Sequence, residues 1–249
     1  MSDLQNTPNP NTPIFSPLYQ QIKALLLQSL SSGEWNAGDM IPSEVDLAAH
    51  FKVSQGTVRK AIDELASENL LVRRQGRGTF VATHQEAQIR FRFLSMQADN
   101  GQKFTTSSAV VAVDVILASV GVCAHLGLAD SDRVVQITRV LSFNGRAGVL
   151  EKIYLPEALF PNVTADKLRA YKGTLYSWFE SEFNVRMIRA VEQIRAVNAP
   201  ESAAEYLNVA SNEALLYVER ISYTYADKPV EVRHGWYLTH DYFYKNELI

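Results

Sequence analysis

The stretch SEVDLAAHFKVSQGTVRKAIDEL, residues Ser43 to Leu65, decides the fold of the first part of this chain. Its second half repeats apolar residues at i, i+3, i+4 and i+7, as a packed helix does: Val58, Ala61, Ile62 and Leu65. Its first half has an apolar face of its own, which ends at Phe51, and only Lys52 and Val53 separate that residue from the next helix cap. Two short helices joined by so tight a turn predict a helix-turn-helix.

The start of the second of these helices is unusually polar. Ser54 is a suitable N-cap, but Gln55, Gly56 and Thr57 form a poor opening for a helix that only has to pack. In a helix-turn-helix the N-terminal residues of the second helix contact base edges in the major groove, where a glycine permits close approach. The simpler alternative is a capped helix start with no partner.

The segments on either side complete a winged domain. One apolar helical face precedes the pair: Leu18, Ile22, Leu25, Leu26 and Leu30. After the pair, the stretch LLVRRQGRGTFVA alternates around Gly76 and Gly78 and predicts a β-hairpin with a basic tip.

Charge is distributed unevenly along the 249 residues. The net charge is −3, whereas residues 52–77 carry six bases and three acids, so the remaining chain carries −6. A local basic surface on an acidic protein is typical of phosphate binding. We therefore predict binding to double-stranded DNA, with Gln55 suited to an adenine edge, Thr57 to a base or phosphate, and Arg59 to phosphate or guanine.

The chain divides into four parts. Residues 1–15 are rich in Pro, Asn and Thr, which predicts a disordered tail. The winged domain is expected at residues 16–83 and a linker at residues 84–90. Residues 91–249 alternate β-branched and aromatic runs with three helical segments, which begin near Cys123, Thr174 and Pro200. We expect an α+β fold overall, with a mostly antiparallel sheet in the last part and helices on one side of it.

Several classes of protein are disfavoured. The single cysteine, Cys123, excludes an internal disulfide or a cysteine zinc site, and its spacing from His125 turns the two side chains apart on a helix. His50 and His84 are expected at the surface. We expect no metal, no cofactor and no catalytic residue. The N-terminus lacks a signal sequence, and no apolar run is long enough for a membrane helix, so a soluble cytoplasmic protein without membrane contact is expected.

Residues 17–82 resemble the winged-helix DNA-binding domain of the GntR family of bacterial transcription regulators. The resemblance is carried by LYQQI, IPSE, VSQGTVRKA and GRGTFV. It implies a homodimer on a palindromic operator, with a wing tip in the minor groove. The DNA-contacting residues are then expected to be Ser43, Glu44, Val45, Ser54, Gln55, Gly56, Thr57, Arg59, Lys60, Arg73, Arg74, Gln75, Gly76 and Arg77.

Two positions depart from many relatives in this family. They have arginine in place of Gln55 and a polar or basic residue in place of Val45. The operator is therefore expected to differ from the common GT/AC-rich palindrome.

Residues 91–249 resemble the effector-binding domain of the HutC branch, called UTRA, whose fold is similar to chorismate lyase. The resemblance is carried by ITRVLSFNGRAGVLEKIYLP, GTLYSWFESEF, YVERISYTYADKPVEVRHGWY and DYFY. It implies dimerisation and an effector pocket beside the sheet. By position, the pocket residues are expected to be Arg139, Glu151, Thr174, Tyr176, Glu231 and Tyr237.

The expected ligand is a small carboxylate- or phosphate-bearing metabolite, since the guanidinium of Arg139 binds either group bidentately. Sugar-phosphate sensors of this branch have an arginine at the position of Leu141, which weakens the case for a phosphate here. A small carboxylate that is aromatic or derived from an amino acid, such as urocanate, is at least as well supported as a phosphate. Alternatively, Arg139 and Glu151 form a structural ion pair, and Tyr176 and Tyr237 are core aromatics.

Three functions remain open at this point. The first is a ligand-responsive transcriptional regulator, expected to be a repressor. The second is a small-molecule enzyme on a chorismate-lyase-like fold with a DNA-binding appendage. The third is a constitutive DNA-binding protein whose second domain only dimerises.

Overall fold

The computed structural model describes residues 16–83 and 96–245. They form two compact units that divide chiefly at Val81 and Ala82. The predicted tail, the predicted linker with His84, and residues 91–95 lie outside the described residues.

The first unit is a winged helix-turn-helix, as predicted. Its helices are α1 (Leu18–Ser31), α2 (Glu44–Phe51) and α3 (Gln55–Ser67), and its strands are β1 (Leu71–Arg74) and β2 (Gly78–Val81). The core contains the expected apolar positions: Ile22, Leu26, Leu30, Leu47, Val58, Ala61, Ile62 and Leu65. Leu18 and Leu25, which we assigned to the same face, are instead 50% and 43% exposed.

Local chemistry fixes the turn between α2 and α3. The hydroxyls of Ser43 and Ser54 accept hydrogen bonds from the amides of Asp46 and Thr57, each at 3.2 Å, and so cap the two helices. Lys52 ends α2 in the left-handed conformation with φ 55°. The chain therefore reverses within two residues, and α3 starts at the polar stretch.

The wing is a two-stranded antiparallel hairpin with Arg74 opposite Gly78. The amide of Arg77 donates to the carbonyl of Arg74 at 2.9 Å and closes the tip. Gly76 occupies the turn with φ +68°, a conformation that favours glycine.

The second unit is built on a six-stranded antiparallel sheet in the order β4-β5-β6-β9-β8-β7. In chain order the strands of this unit are β3 (Met96–Ala98), β4 (Thr106–Leu117), β5 (Arg133–Phe143), β6 (Arg146–Pro156), β7 (Arg189–Asn198), β8 (Ala214–Tyr223), β9 (Pro229–Tyr237) and β10 (Tyr242–Tyr244). Strands β3 and β10 form a separate antiparallel pair.

Helices cover both faces of this sheet, so the expectation of helices on one side was wrong. They are α4 (Val120–Leu126), α5 (Ala165–Ala170), α6 (Leu175–Phe183) and α7 (Glu201–Leu207). Val135 packs with α6, whereas the next residue back, Val134, packs with α4. Since successive strand residues point to opposite faces, the two helices lie on opposite sides.

Other differences from the sequence prediction are local. Strands β3, β7 and β10 and helix α5 were not predicted. Helix α4 begins earlier than expected, capped by Ser119, and ends at Gly127 in the left-handed conformation. Cys123 is buried in this helix, while His125 approaches Glu219, so the two side chains do point apart. In the described ranges, no helix is both long and apolar enough to cross a membrane.

Candidate functional site

The start of α3 presents the predicted reading residues at the surface of the first unit. Gln55, Gly56 and Arg59 are exposed, and Thr57 is half-buried. A Cβ added to Gly56 would meet only the Ser54 hydroxyl, at 3.8 Å, so internal packing does not require glycine there. The position is free to be approached closely by another molecule.

Glu44, the first residue of α2, connects the predicted DNA-contacting elements. Its Oε2 accepts from Arg59 Nε at 2.9 Å and from Gln55 Nε2 at 3.3 Å. Its Oε1 accepts from an Arg73 guanidinium nitrogen at 2.9 Å. One carboxylate thus joins α2, α3 and the wing. Neighbouring Val45 is 61% exposed.

The other predicted cations differ in their surroundings. Lys60 Nζ lies 3.8 Å from the centroid of the Tyr19 ring, and the Arg74 guanidinium lies 4.5 Å from that of Phe80. Arg77 is exposed at the wing tip beside exposed Gln75 and Gly76, and it has no ion-pair partner in the described part of the chain. Its charge is therefore fully available to a phosphate.

Arg77→Ala is expected to weaken binding to all duplexes similarly and to flatten the salt dependence by about one unit for each phosphate that is no longer neutralised. The measurement is a fluorescence-anisotropy salt series on two unrelated duplexes. Lys23→Ala removes the same charge from α1, where Lys23 pairs with Glu64 and Glu68, and is expected to leave the slope unchanged. An unchanged slope for Arg77→Ala would place Arg77 outside the interface.

The second unit contains a cavity of about 720 Å³ on one face of its sheet. Strands β4, β5, β8 and β9 and the start of α6 bound it. No aspartate or glutamate is among the residues that line the cavity. Five of the lining side chains are cationic: Arg139, Arg169, Lys172, Arg220 and Arg233. Such a lining favours an anionic occupant.

Buried carboxylates behind the wall hold its arginines in place. Arg233 donates to both oxygens of Glu231, at 3.0 Å each, and to Glu151 at 3.1 Å. Arg139 Nε donates to the other oxygen of Glu151 at 2.5 Å. The Tyr176 hydroxyl donates to Glu231 at 3.0 Å. These groups form a connected polar network on this face of the sheet.

Arg220 pairs with a third carboxylate. Its guanidinium donates to Glu192 on β7 at 2.6 Å, and the Tyr244 hydroxyl of β10 donates to the same carboxylate. The side chain of Arg220 is only 3% exposed. Its orientation is therefore fixed before any ligand arrives, which lowers the cost of ordering it on binding.

The electrostatics of the network keep its central carboxylate ionised. Burial alone would raise the pKa of Glu151, but the positive charges of Arg139 and Arg233 lower that pKa to about 2. Burial also raises the pKa of the Tyr176 hydroxyl, which therefore stays a hydrogen-bond donor at neutral pH.

Helix α6 begins at the cavity. Thr174 caps it by accepting from the Ser177 amide at 3.2 Å, and the Tyr171 hydroxyl donates to the Ser177 hydroxyl at 3.2 Å. Thr174, Leu175 and Tyr176 all line the cavity. A helix N-terminus adds positive potential to the same wall.

The structure separates the six predicted effector residues into two groups. Arg139, Thr174 and Tyr176 line the cavity, whereas Glu151, Glu231 and Tyr237 do not. The two glutamates lie behind the arginines. Tyr237 belongs to a buried cluster with Phe143 and Val149 and covers Gly235, whose added Cβ would lie 2.5 Å from the tyrosine ring.

Sequence reasoning missed Arg220 and Arg233. Arg220 on β8 is paired with Arg233 on β9 in the register of the two strands. Arg233 also shares a strand face with the predicted Glu231, two residues earlier, which was the available signal. Leu141, which stands where sugar-phosphate sensors have an arginine, also lines the cavity. Leu141 carries no charge, whereas Arg220 and Arg233 add positive charge to the same lining.

Comparison with known proteins identifies both units. The "UTRA domain" family matches residues 101–242, and "Bacterial regulatory proteins, gntR family" matches residues 18–81. The chain belongs to the GntR-family transcriptional regulators that carry a UTRA domain, and these are regulators rather than enzymes.

Similar proteins extend over most of the chain. The "Mannosyl-D-glycerate transport/metabolism system repressor MngR" of Escherichia coli K12 is 27% identical over 227 residues, covering 91% of this chain and 93% of that protein. The "HTH-type transcriptional repressor NagR" of Bacillus subtilis is 27% identical over 216 residues, with coverages of 86% and 87%.

Solved structures agree with this assignment. The ligand-binding domain of a protein assigned to the GntR-family regulators of Bordetella bronchiseptica is 40% identical, has a TM-score of 0.62, and covers 64% of this chain and 98% of that structure. PhnF of Mycobacterium smegmatis shares the fold at 24% identity, with a TM-score of 0.53 and coverages of 92% and 99%. In the two described ranges no group of side chains is arranged to hold a metal ion.

Proposed function

We propose that this protein is a homodimeric, cytoplasmic repressor that binds a palindromic operator through residues 16–83 and releases it when a small anion occupies residues 91–249. Residues 84–90 would link the two domains. The observation that carries the proposal is the cavity lining, which includes five cations and no carboxylate, although carboxylates behind the wall pair with Arg139, Arg220 and Arg233.

The chemistry of the site supports an acid as the ligand. Three guanidiniums, those of Arg139, Arg220 and Arg233, reach the cavity from three different strands and are held there by carboxylates of the protein. A planar guanidinium binds carboxylate or phosphate bidentately. Thr174 and Tyr176 also line the cavity, with their hydroxyls held by the Ser177 amide and by Glu231 respectively. Relatives named as repressors, MngR among them, support the sign of regulation.

The test combines operator selection with a ligand panel. A duplex is first selected from random palindromes, and its release is then followed by fluorescence anisotropy with inorganic phosphate, sugar phosphates, sugar acids and urocanate. The neutral parent sugars are the controls. An effector is expected to weaken operator affinity by about 5- to 150-fold and to raise the melting temperature. Operator binding that no anion alters would support the constitutive alternative.

Gln55→Arg is expected to shift the preference at one symmetric base pair of each half-site toward guanine. Arginine pairs with guanine O6 and N7, whereas glutamine suits adenine N6 and N7, and a good pair discriminates by roughly 1–3 kcal/mol. The measurement is the same selection carried out with both proteins. Identical consensus sequences would mean that Gln55 reads no base and serves only phosphate positioning or capping.

A further inference from the structure

The carboxylate of Glu44 is placed where helix capping does not require it. At the start of α2, the amide of Asp46 is capped by Ser43, and the Ser43 hydroxyl donates to the Asp46 carboxylate at 2.6 Å. Asp46 therefore already supplies negative charge to this helix terminus. The side chain of Glu44 extends away from the cap toward Arg59 and Arg73.

The pairs that Glu44 makes are too exposed to be explained by stability. The side chains of Arg59 and Arg73 are 55% and 43% exposed, and that of Glu44 is 20% exposed. Exposed ion pairs contribute about 0–1 kcal/mol each. Asp63 also approaches Arg73, at 2.5 Å, so the wing strand is connected to α3 without Glu44.

The same pairs engage Arg59 and Arg73, two of the cations that are expected to contact DNA. Non-specific affinity depends on the number of cations that neutralise phosphates, whatever the base sequence. A carboxylate that already accepts hydrogen bonds from Arg59 and Arg73 competes with phosphate for both of them. The same carboxylate orients Gln55 and Arg59, the residues expected to contact base edges, and such preorganisation favours a matched site.

We propose that Glu44 is a specificity-determining residue, whose carboxylate competes with DNA phosphates for Arg59 and Arg73 and orients Gln55 and Arg59. Glu44 thereby lowers the affinity for non-specific DNA, while it keeps Gln55 and Arg59 ordered for the operator. The inference rests on DNA binding by the N-terminal domain and does not depend on effector release. A negative result in the ligand panel and a negative result in the experiment below can therefore be told apart.

The experiment compares Glu44→Gln with the wild-type protein on a random-sequence duplex and on the selected operator. Affinities are measured by fluorescence anisotropy from 50 to 200 mM salt, without effector. The matched control is Glu68→Gln, which removes the same charge from the same domain where Glu68 pairs with Lys23. Thermal melting confirms that each variant is folded.

Glu44→Gln is expected to bind the random duplex more tightly and with a steeper salt slope, by about 0.9 for each additional phosphate that the protein neutralises. A slope change of that size corresponds to roughly a 3.5-fold larger loss of affinity over this salt range. The ratio of operator to random affinity is expected to fall by about 10-fold, the equivalent of one base pair that is no longer read. Glu68→Gln is expected to change neither the slope nor the ratio.

A second variant separates competition from simple structural support. Adding Arg59→Ala to Glu44→Gln is expected to reverse about one unit of the increase in slope, because Arg59 pairs with Glu44 alone among the described carboxylates and is the cation that Glu44→Gln frees. Equal slopes for Glu44→Gln and Glu68→Gln would overturn the proposal. So would a loss of operator affinity with unchanged binding to the random duplex, since Glu44 would then contact operator bases directly.

Discussion

Arg233→Ala is expected to lower the free energy of unfolding of the C-terminal domain by about 3–5 kcal/mol. Arg233 is 4% exposed and donates to two carboxylates, Glu151 and Glu231, that are 1% and 0% exposed. Its removal leaves both charges buried with fewer partners. Glu151 would retain Arg139, and Glu231 would retain the hydroxyls of Tyr176 and Ser222.

Urea unfolding at neutral pH measures this effect. The matched control is Arg133→Ala, in which an arginine 56% exposed loses a pair with Glu157 at 3.4 Å. That loss is expected to cost less than about 1 kcal/mol. If the two variants lose similar stability, the buried network does not hold the sheet together.

The difference in free energy of unfolding between the wild-type protein and Arg233→Ala depends on pH because of Glu151. Its pKa is about 2 in the folded protein and ordinarily 4.5, so its stabilisation is fully present above about 4.5 and is lost as pH falls toward 2. Without Arg233 the folded pKa is expected to lie closer to 4.5. The difference in free energy of unfolding between the wild-type protein and Arg233→Ala should therefore become smaller as pH falls from 4.5 to 2.

Arg139→Ala is expected to leave operator binding intact and to weaken the effector by about 30-fold or more, which abolishes release at working concentrations. The reason is that Arg139 lines the cavity, while its partner Glu151 keeps the hydrogen bond from Arg233 when Arg139 is removed. The loss of stability should accordingly be smaller than for Arg233→Ala. The measurements are ligand titration by anisotropy and urea unfolding of the same preparation.

The two interpretations of Arg139 predict different outcomes of this experiment. Unfolding or failed dimerisation of Arg139→Ala would support a structural ion pair with Glu151. A normal response to the effector would mean that the proposed pocket is wrong. Arg169→Ala serves as a second cavity variant, because Arg169 is 53% exposed and its loss leaves no carboxylate buried. It is expected to weaken the effector less than Arg139→Ala does.

The local signals in the sequence predicted the N-terminal domain well. Its helices follow from apolar spacing, its turn from two capping serines, and its wing from Gly76 and Gly78, all within short stretches. Strand β7 was missed because Val191, Ile194 and Val197 recur every third residue, which is not the alternation typical of a strand. Moreover, β7 is an edge strand on which Val191 and Ile194 are exposed.

The candidate sites depend on contacts between distant segments, which periodicity does not reveal. Glu151 meets Arg233 across the β6–β9 pair, although the two residues are 82 positions apart in the sequence. Glu44 meets Arg73 only because the wing folds back toward α2. The resemblance to the HutC branch nominated Arg139, but strand order and register were needed to identify Arg220 and Arg233.

The exposure of the residues predicted to contact DNA has an evolutionary consequence. Val45, Gln55 and Gly56 are exposed, and none is part of the core that holds the three helices together. Substitutions at such positions usually change stability by no more than about 0.5 kcal/mol. After gene duplication, a copy of this regulator could therefore diverge toward a new set of target promoters by nearly neutral steps, without first acquiring compensating mutations in its core.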